Sequence, residues 1–213
     1  MFEFEKNYFK NSNLEKERKI FSEDLENIHM SDEDKVVFIL ACKNFKPATE
    51  VSIEVRENNI TDLEDITKFK IMSDKLNLHY VELSQEYKKA SPDHVNIKST
   101  VFAVGKRKED VEKLLFVIEK VIQDPPIHKY NKEFGQIYGF PQTAVEAFDE
   151  LDKMFFDIPE DIKNKDYMAF CWFALSKEHW QQEIKVAQKW AQTVKDLSPN
   201  LYNRIVIKYK NSQ

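Results

Sequence analysis

Val36-Val37-Phe38-Ile39-Leu40-Ala41-Cys42 is a continuous apolar run of seven residues, and the fold class turns on how it is read. The run is short, rich in branched side chains and preceded by the charged segment Ser31-Asp32-Glu33-Asp34-Lys35, which predicts a strand buried on both faces. A second strand follows, because Val51, Ile53 and Val55 alternate with Ser52, Glu54 and Arg56, as one wet face requires. The difference in patterning makes the first strand central and the second an edge.

Working outward, Leu14, Phe21, Leu25 and Ile28 share one face of a predicted helix from about Asn13 to Ile28, with Glu15, Lys16, Glu17, Arg18 and Lys19 on the rest. Thr61-Asp62-Leu63-Glu64 reads as a capping box opening a helix to about Leu76, with Leu63, Ile66 and Phe69 or Lys70 inward. Leu78 to Leu83 and Val95 to Val104 read as two more strands, the latter ending at Gly105. Val111, Leu114, Leu115, Ile118, Val121 and Ile122 then set a helical period that stops before Asp124-Pro125-Pro126. The order β, β, α, β, β, α predicts an α+β protein with a sheet of about four strands and helices on one face.

Beyond Pro126 the pattern is helical. Asn131 to Tyr138 predicts a short helix, Gly139 its left-handed stop, and Pro141 the first turn of a second helix to about Phe155 with Val145, Phe148, Leu151 and Phe155 inward. Asp166 to Leu175 is apolar nearly all round and predicts a buried central helix. Ser176 is placed to cap the next helix, in which Trp180, Ile184, Ala187, Ala191 and Val194 recur at spacings of four and three. Ser198-Pro199 ends it, and Leu201 to Lys210 fits either helix or strand. The division is residues 1–124, an α+β unit with an N-terminal helix, and 125–213, a helical region packed on it as one unit.

With 213 residues, 42% hydrophobic, 32% charged and a net charge of -5, the chain is expected to bury a real core and to be a poor generic coat for nucleic acid. Cys42 and Cys171 lie in separate apolar runs and read as reduced, buried thiols. The start Met1-Phe2-Glu3-Phe4-Glu5-Lys6 has no basic segment followed by an apolar one, and no apolar run reaches membrane-spanning length; a cytoplasmic location is expected.

Two of the three glycines, Gly135 and Gly139, fall with Phe140 and Pro141 in one stretch, where geometry is forced. A short helix, a turn and a second helix suggest a DNA-reading motif, but Glu146, Asp149, Glu150 and Asp152 against Lys153 alone argue against one. The favoured reading is a fixed corner whose small residues let it pack tightly. The string from Gly135 to Phe148, with Lys46-Pro47-Ala48-Thr49-Glu50 and Val104-Gly105-Lys106 upstream, resembles a group of uncharacterised prokaryotic proteins, a domain of unknown function carrying Gly-x-x-x-Gly-Tyr-Pro-x-Cys-Cys-Val. The likeness spans roughly residues 36 to 150. Thr143 and Ala144 stand where that pattern has its cysteine pair, so the resemblance implies architecture without thiol or metal chemistry.

His29, His79, His94, His128 and His179 are scattered and form no metal-ligand spacing, and no phosphate loop, dinucleotide fingerprint or nucleophile elbow is present. No cofactor or metal is expected. If the strands ending at Cys42 and Val104 are parallel neighbours, Lys43, Lys46, Lys106 and Arg107 gather at one sheet edge, with His128, Tyr138, Gln142 and Thr143 beside them, as an anion site. The competing reading makes these lysines loop solubilisers and His128 a surface or capping histidine. Trp172, Trp180 and Trp190 read as packing between helices. The function expected is a non-catalytic interaction or regulatory module with a protein partner or a second copy. The alternative is a small enzyme or binder of an anionic, phosphorylated ligand.

Overall fold

A computed structural model describes residues 14–56, 60–88 and 97–213. Residues 14–19 form helix α1, which continues as a π-helical turn, Ile20–Asp24, and buries Phe21, Leu25 and Ile28. The run that reads as a central strand is helix α2, Asp32–Cys42. Its N-cap is Ser31, whose Oγ accepts from the Asp34 N–H at 3.0 Å, with Asp32, Glu33 and Asp34 in the first turn. Asn44, with φ of 57°, follows its end in the left-handed region. The helix is apolar nearly all round because it is enclosed by β1, α8 and α9, and full burial erases the period that separates helix from strand.

Three strands remain, β1 (Ala48–Arg56), β2 (His79–Lys88) and β3 (Ile97–Gly105), in the order β1-β3-β2 with both pairings antiparallel. The expected sheet of about four strands is therefore corrected to three among the described residues. The central strand is β3, whose Phe102, Ala103 and Val104 are fully buried. Part of the outer edge of β1 is met by the segment before α2, through the Met30–Ile53 bridge and the Glu54 N–H donating to His29 O at 3.2 Å.

Helices cover both faces, which corrects the one-face layering. Val51, Ile53, Phe102 and Val104 meet α2 and α3 (Ile60–Lys75), where Phe69 packs 4.8 Å from the Phe102 ring centroid. Ala48 and Ala103 meet Val111, Leu114 and Val117 of α4 (Lys108–Gln123) on the opposite face. Two alanines on a strand face leave room for a close helix, and a pattern of small residues there does not register as a hydrophobic stripe. Thr61 falls inside α3 rather than before it. Asp65 of α3 is buried and accepts from the His29 N–H at 3.0 Å, His29 Nδ1 at 2.6 Å and Lys68 Nζ at 3.0 Å, tying α3 to the chain before α2.

The second half forms α5 (Asn131–Ile137), α6 (Gln142–Phe148), the single-turn α7 (Glu160–Lys163), α8 (Trp180–Leu197) and α9 (Pro199–Asn211). The helix expected to reach Phe155 stops at Phe148, whose ring is 48% exposed rather than inward. Asp166–Phe170 is a 3-10 turn followed by irregular chain, not a helix to Leu175, although Met168, Ala169, Phe170, Phe173 and Leu175 are buried as expected. The ambiguous tail is helical. The larger core draws on Phe38 and Phe102 as well as Phe170, Trp190 and Ile205, so side chains from both sides of residue 124 share it. Among the described residues no helix is long and apolar enough to cross a membrane.

Candidate functional site

Helix α5 ends with the Gly139 N–H donating to Gln136 O at 3.1 Å and the Phe140 N–H to Gly135 O at 2.9 Å, and Gly139 takes φ of 71°. A Cβ on Gly139 would lie against the Phe45 carbonyl oxygen, so the corner sits directly on the backbone between α2 and β1. A Cβ on Gly135 would come within 2.6 Å of Val145 Cγ2, so α5 and α6 are in van der Waals contact at that point. Thr143 anchors α6 by donating from Oγ1 to Glu183 Oε1 at 2.6 Å. Glu183, buried on α8, also accepts from the Ser176 N–H at 2.7 Å and Ser176 Oγ at 2.6 Å, which satisfies a carboxylate that burial would otherwise destabilise.

Lys46 is the unusual group. It is 2% exposed, donates from Nζ to Tyr138 O at 2.9 Å, and stands 4.6 Å from the Trp190 ring centroid and 4.8 Å from that of Phe140. Among the described residues no carboxylate lies within 4.0 Å of its nitrogen. Burial pushes the Lys46 ammonium down to about 7, and the ring faces of Trp190 and Phe140 act in the opposite direction by favouring the cation. Beside it the Tyr138 hydroxyl donates to Glu50 Oε2 at 2.7 Å. Burial first, then the Glu50 charge, pushes the phenol above its ordinary range, so it stays a donor.

These residues wall two cavities. One, of about 320 Å³, is apolar and lies between the corner and the segment after the 3-10 turn; Phe134, Val145, Trp172, Phe173 and Ala174 line it, with Ile127 and Phe148 at 58% and 48% exposure. The other, of about 240 Å³, has Asp34, Lys46, Thr49 and Glu50 among the residues that line it. Tyr138, Phe140 and Trp172 border both. Burial raises the Asp34 carboxyl above its ordinary value.

The basic edge does not assemble as imagined, because its premise of parallel strands ending at Cys42 and Val104 fails: α2 is helical and β1 runs antiparallel to β3. Lys43 pairs with Glu17 at 2.6 Å, Lys106 Nζ donates to Leu76 O at 2.6 Å, and Arg107 pairs with Asp110 at 2.6 Å. His128 is exposed on the 3-10 turn Ile127–Tyr130, and Gln142 bonds Gln136 and Glu146. Lys46 and Tyr138 do come together, on the backbone carbonyl of the latter. Glu50 and Glu183 escaped the sequence reading, and Trp190 is the buried packing residue expected, with the Lys46 nitrogen over its ring as well. Glu50 sits on the polar side of an alternating strand, Glu183 among ordinary helix carboxylates, and Trp190 in a packing stripe, where a ring that also holds an ammonium leaves no mark. His94 lies outside the described residues. Among the described residues no group of three or more His, Cys, Asp or Glu side chains could hold a metal ion. Cys42 and Cys171 are free, and burial pushes both thiols up, Cys171 to about 12, so they are poor nucleophiles.

No family model, curated protein or solved structure matches this chain.

Proposed function

We propose that the protein is a binding module that takes an apolar anchor residue of another protein chain, a second copy included, in the cavity behind the corner. The observation that carries this reading is the pairing of a concave apolar site of about 320 Å³ with exposed Ile127 and Phe148 at its lining. Large apolar side chains beside a pocket form the arrangement in which one buried anchor supplies much of the binding energy. The corner suits a rigid recognition surface, because Gly139 fixes it on the Phe45 carbonyl and Thr143 ties it to Glu183. A phosphorylated ligand at the basic edge has less support, since Lys43, Lys106 and Arg107 are each engaged within the fold. Kinship with the uncharacterised prokaryotic group rests on the sequence likeness.

The test is a fluorescence titration with the apolar dye anilinonaphthalene sulfonate on the whole chain. Saturable binding is expected, weakened about tenfold or more by Ala174→Phe, which fills the cavity, and unchanged by Ile122→Ser on an exposed position of α4. Equal binding by wild type and a folded Ala174→Phe protein, or no binding to wild type, refutes the reading.

A further inference from the structure

A lysine at 2% exposure with no carboxylate partner among the described residues is costly to keep, because the ammonium loses its hydration and recovers one carbonyl hydrogen bond and three ring contacts. A methionine of similar length would fill the same apolar space. What distinguishes Lys46 is that it lines the cavity of about 240 Å³ together with Glu50, Tyr138 and Phe140, and that its nitrogen sits against the last two of these. A desolvated lysine amine in apolar surroundings is the usual form of a nucleophile toward carbonyl carbon.

We infer that Lys46 captures small aldehydes or ketones covalently and reversibly, its amine condensing with the carbonyl carbon in the cavity it shares with Glu50 and Tyr138. The Lys46 nitrogen donates its lone pair to the carbonyl carbon, a C–N bond forms, and the π electron pair moves to oxygen. One proton passes from nitrogen to that oxygen to give the carbinolamine. Loss of the hydroxyl with the second nitrogen proton releases one water and leaves the C=N bond, with no oxidant or reductant consumed. The two nitrogen protons and the carbonyl oxygen account for the water released, and the Tyr138 hydroxyl, which stays protonated and donates to Glu50, is a neutral polar group on that wall. The groups facing the cavity are Glu33 and Asp34 from α2, Glu50 from β1 and Tyr138 after α5, and the aromatic rings of Phe140 and Trp172 suit a flat ligand body.

The experiment treats the whole folded protein with benzaldehyde and cyanoborohydride, which reduces the imine to a stable benzylamine, and maps the label by peptide mass spectrometry. At pH 7 an exposed lysine, titrating near 10.4, has roughly one amine in a few thousand free, so Lys46 is expected to label at least about tenfold faster than exposed Lys132 and Lys177. Its labelling rate is expected to level off by about pH 8, whereas theirs keeps rising. The label is expected to remain in Ala174→Phe, whose filled cavity is the other one, so this inference and the anchor-binding reading fail separately. Lys46 left unmodified while Lys132 and Lys177 are labelled, or a Lys46 rate that climbs with theirs to pH 10, overturns the inference.

Discussion

Gly139 carries two separable costs of substitution. Its φ of 71° disfavours a side chain in general, by about 1–2 kcal/mol for alanine. Its position against the Phe45 carbonyl oxygen leaves no room for a Cβ, and forcing one in costs about 1–3 kcal/mol on the scale of overpacked cores. Alanine recovers about 0.4–1 kcal/mol by stiffening the unfolded chain, so Gly139→Ala is expected to lose roughly 1–4.6 kcal/mol. Asparagine separates the terms. The chain itself places Asn44 and Asn77 in the left-handed region at φ of 57° and 52°, just past α2 and α3, so asparagine tolerates the dihedral. Gly139→Asn should therefore lose mainly the overlap, about 1–3 kcal/mol, or roughly 2–12 °C in Tm for a chain of this size. Urea unfolding followed by circular dichroism measures both variants, with exposed Asn77→Gly as the control expected within about 0.5 kcal/mol of wild type. Gly139→Asn as stable as wild type, beside a destabilised Gly139→Ala, refutes the close approach and leaves only the dihedral.

Thr143→Val preserves shape but removes one of three hydrogen bonds to the buried Glu183 carboxylate, with an expected loss of about 1.5–3 kcal/mol in urea unfolding; a change below about 0.5 kcal/mol contradicts the anchoring role. Lys46 sets a pH dependence. Its amine titrates at about 7 in the fold and near 10.4 in the unfolded chain, so between these values the unfolded state holds the extra proton and stability rises with pH. Below about pH 7 both states are protonated and the penalty of burying the cation is complete. The stability of wild type relative to Lys46→Met is therefore expected to rise from pH 7 to pH 10, and a constant difference across that range contradicts a desolvated amine.

The corner was legible because its signals are local. A glycine that must be left-handed, followed two residues later by proline, dictates a helix stop and a helix start whatever surrounds them, and Gly139 and Pro141 fall where expected. The amphipathic helices α4 and α8 were legible for the same kind of reason, since one wet face preserves the period from Val111 and Leu114 and from Ile184 to Val194, although Ile122 at the end of α4 is exposed. The run Val36 to Cys42 was not, although Ser31 and three acidic residues after it mark a helix start that the apolar run outweighed. That reading accounts for the strand count and the basic edge, whereas the layering turned on Ala48 and Ala103, whose small side chains hide the face that α4 covers.

The sequence by itself determined the α+β class, the places of β1, β2 and β3, most of the helices and the forced turn at Gly139, because dihedral preference, capping and periodicity act over a few residues. Only the tertiary structure decided that α2 is a helix enclosed by the sheet and α8–α9, that both sheet faces are covered, and that Lys46, Glu50, Tyr138 and Trp190 meet. Those four residues are up to 144 positions apart between Lys46 and Trp190, and a desolvated amine exists only once distant rings have displaced its water.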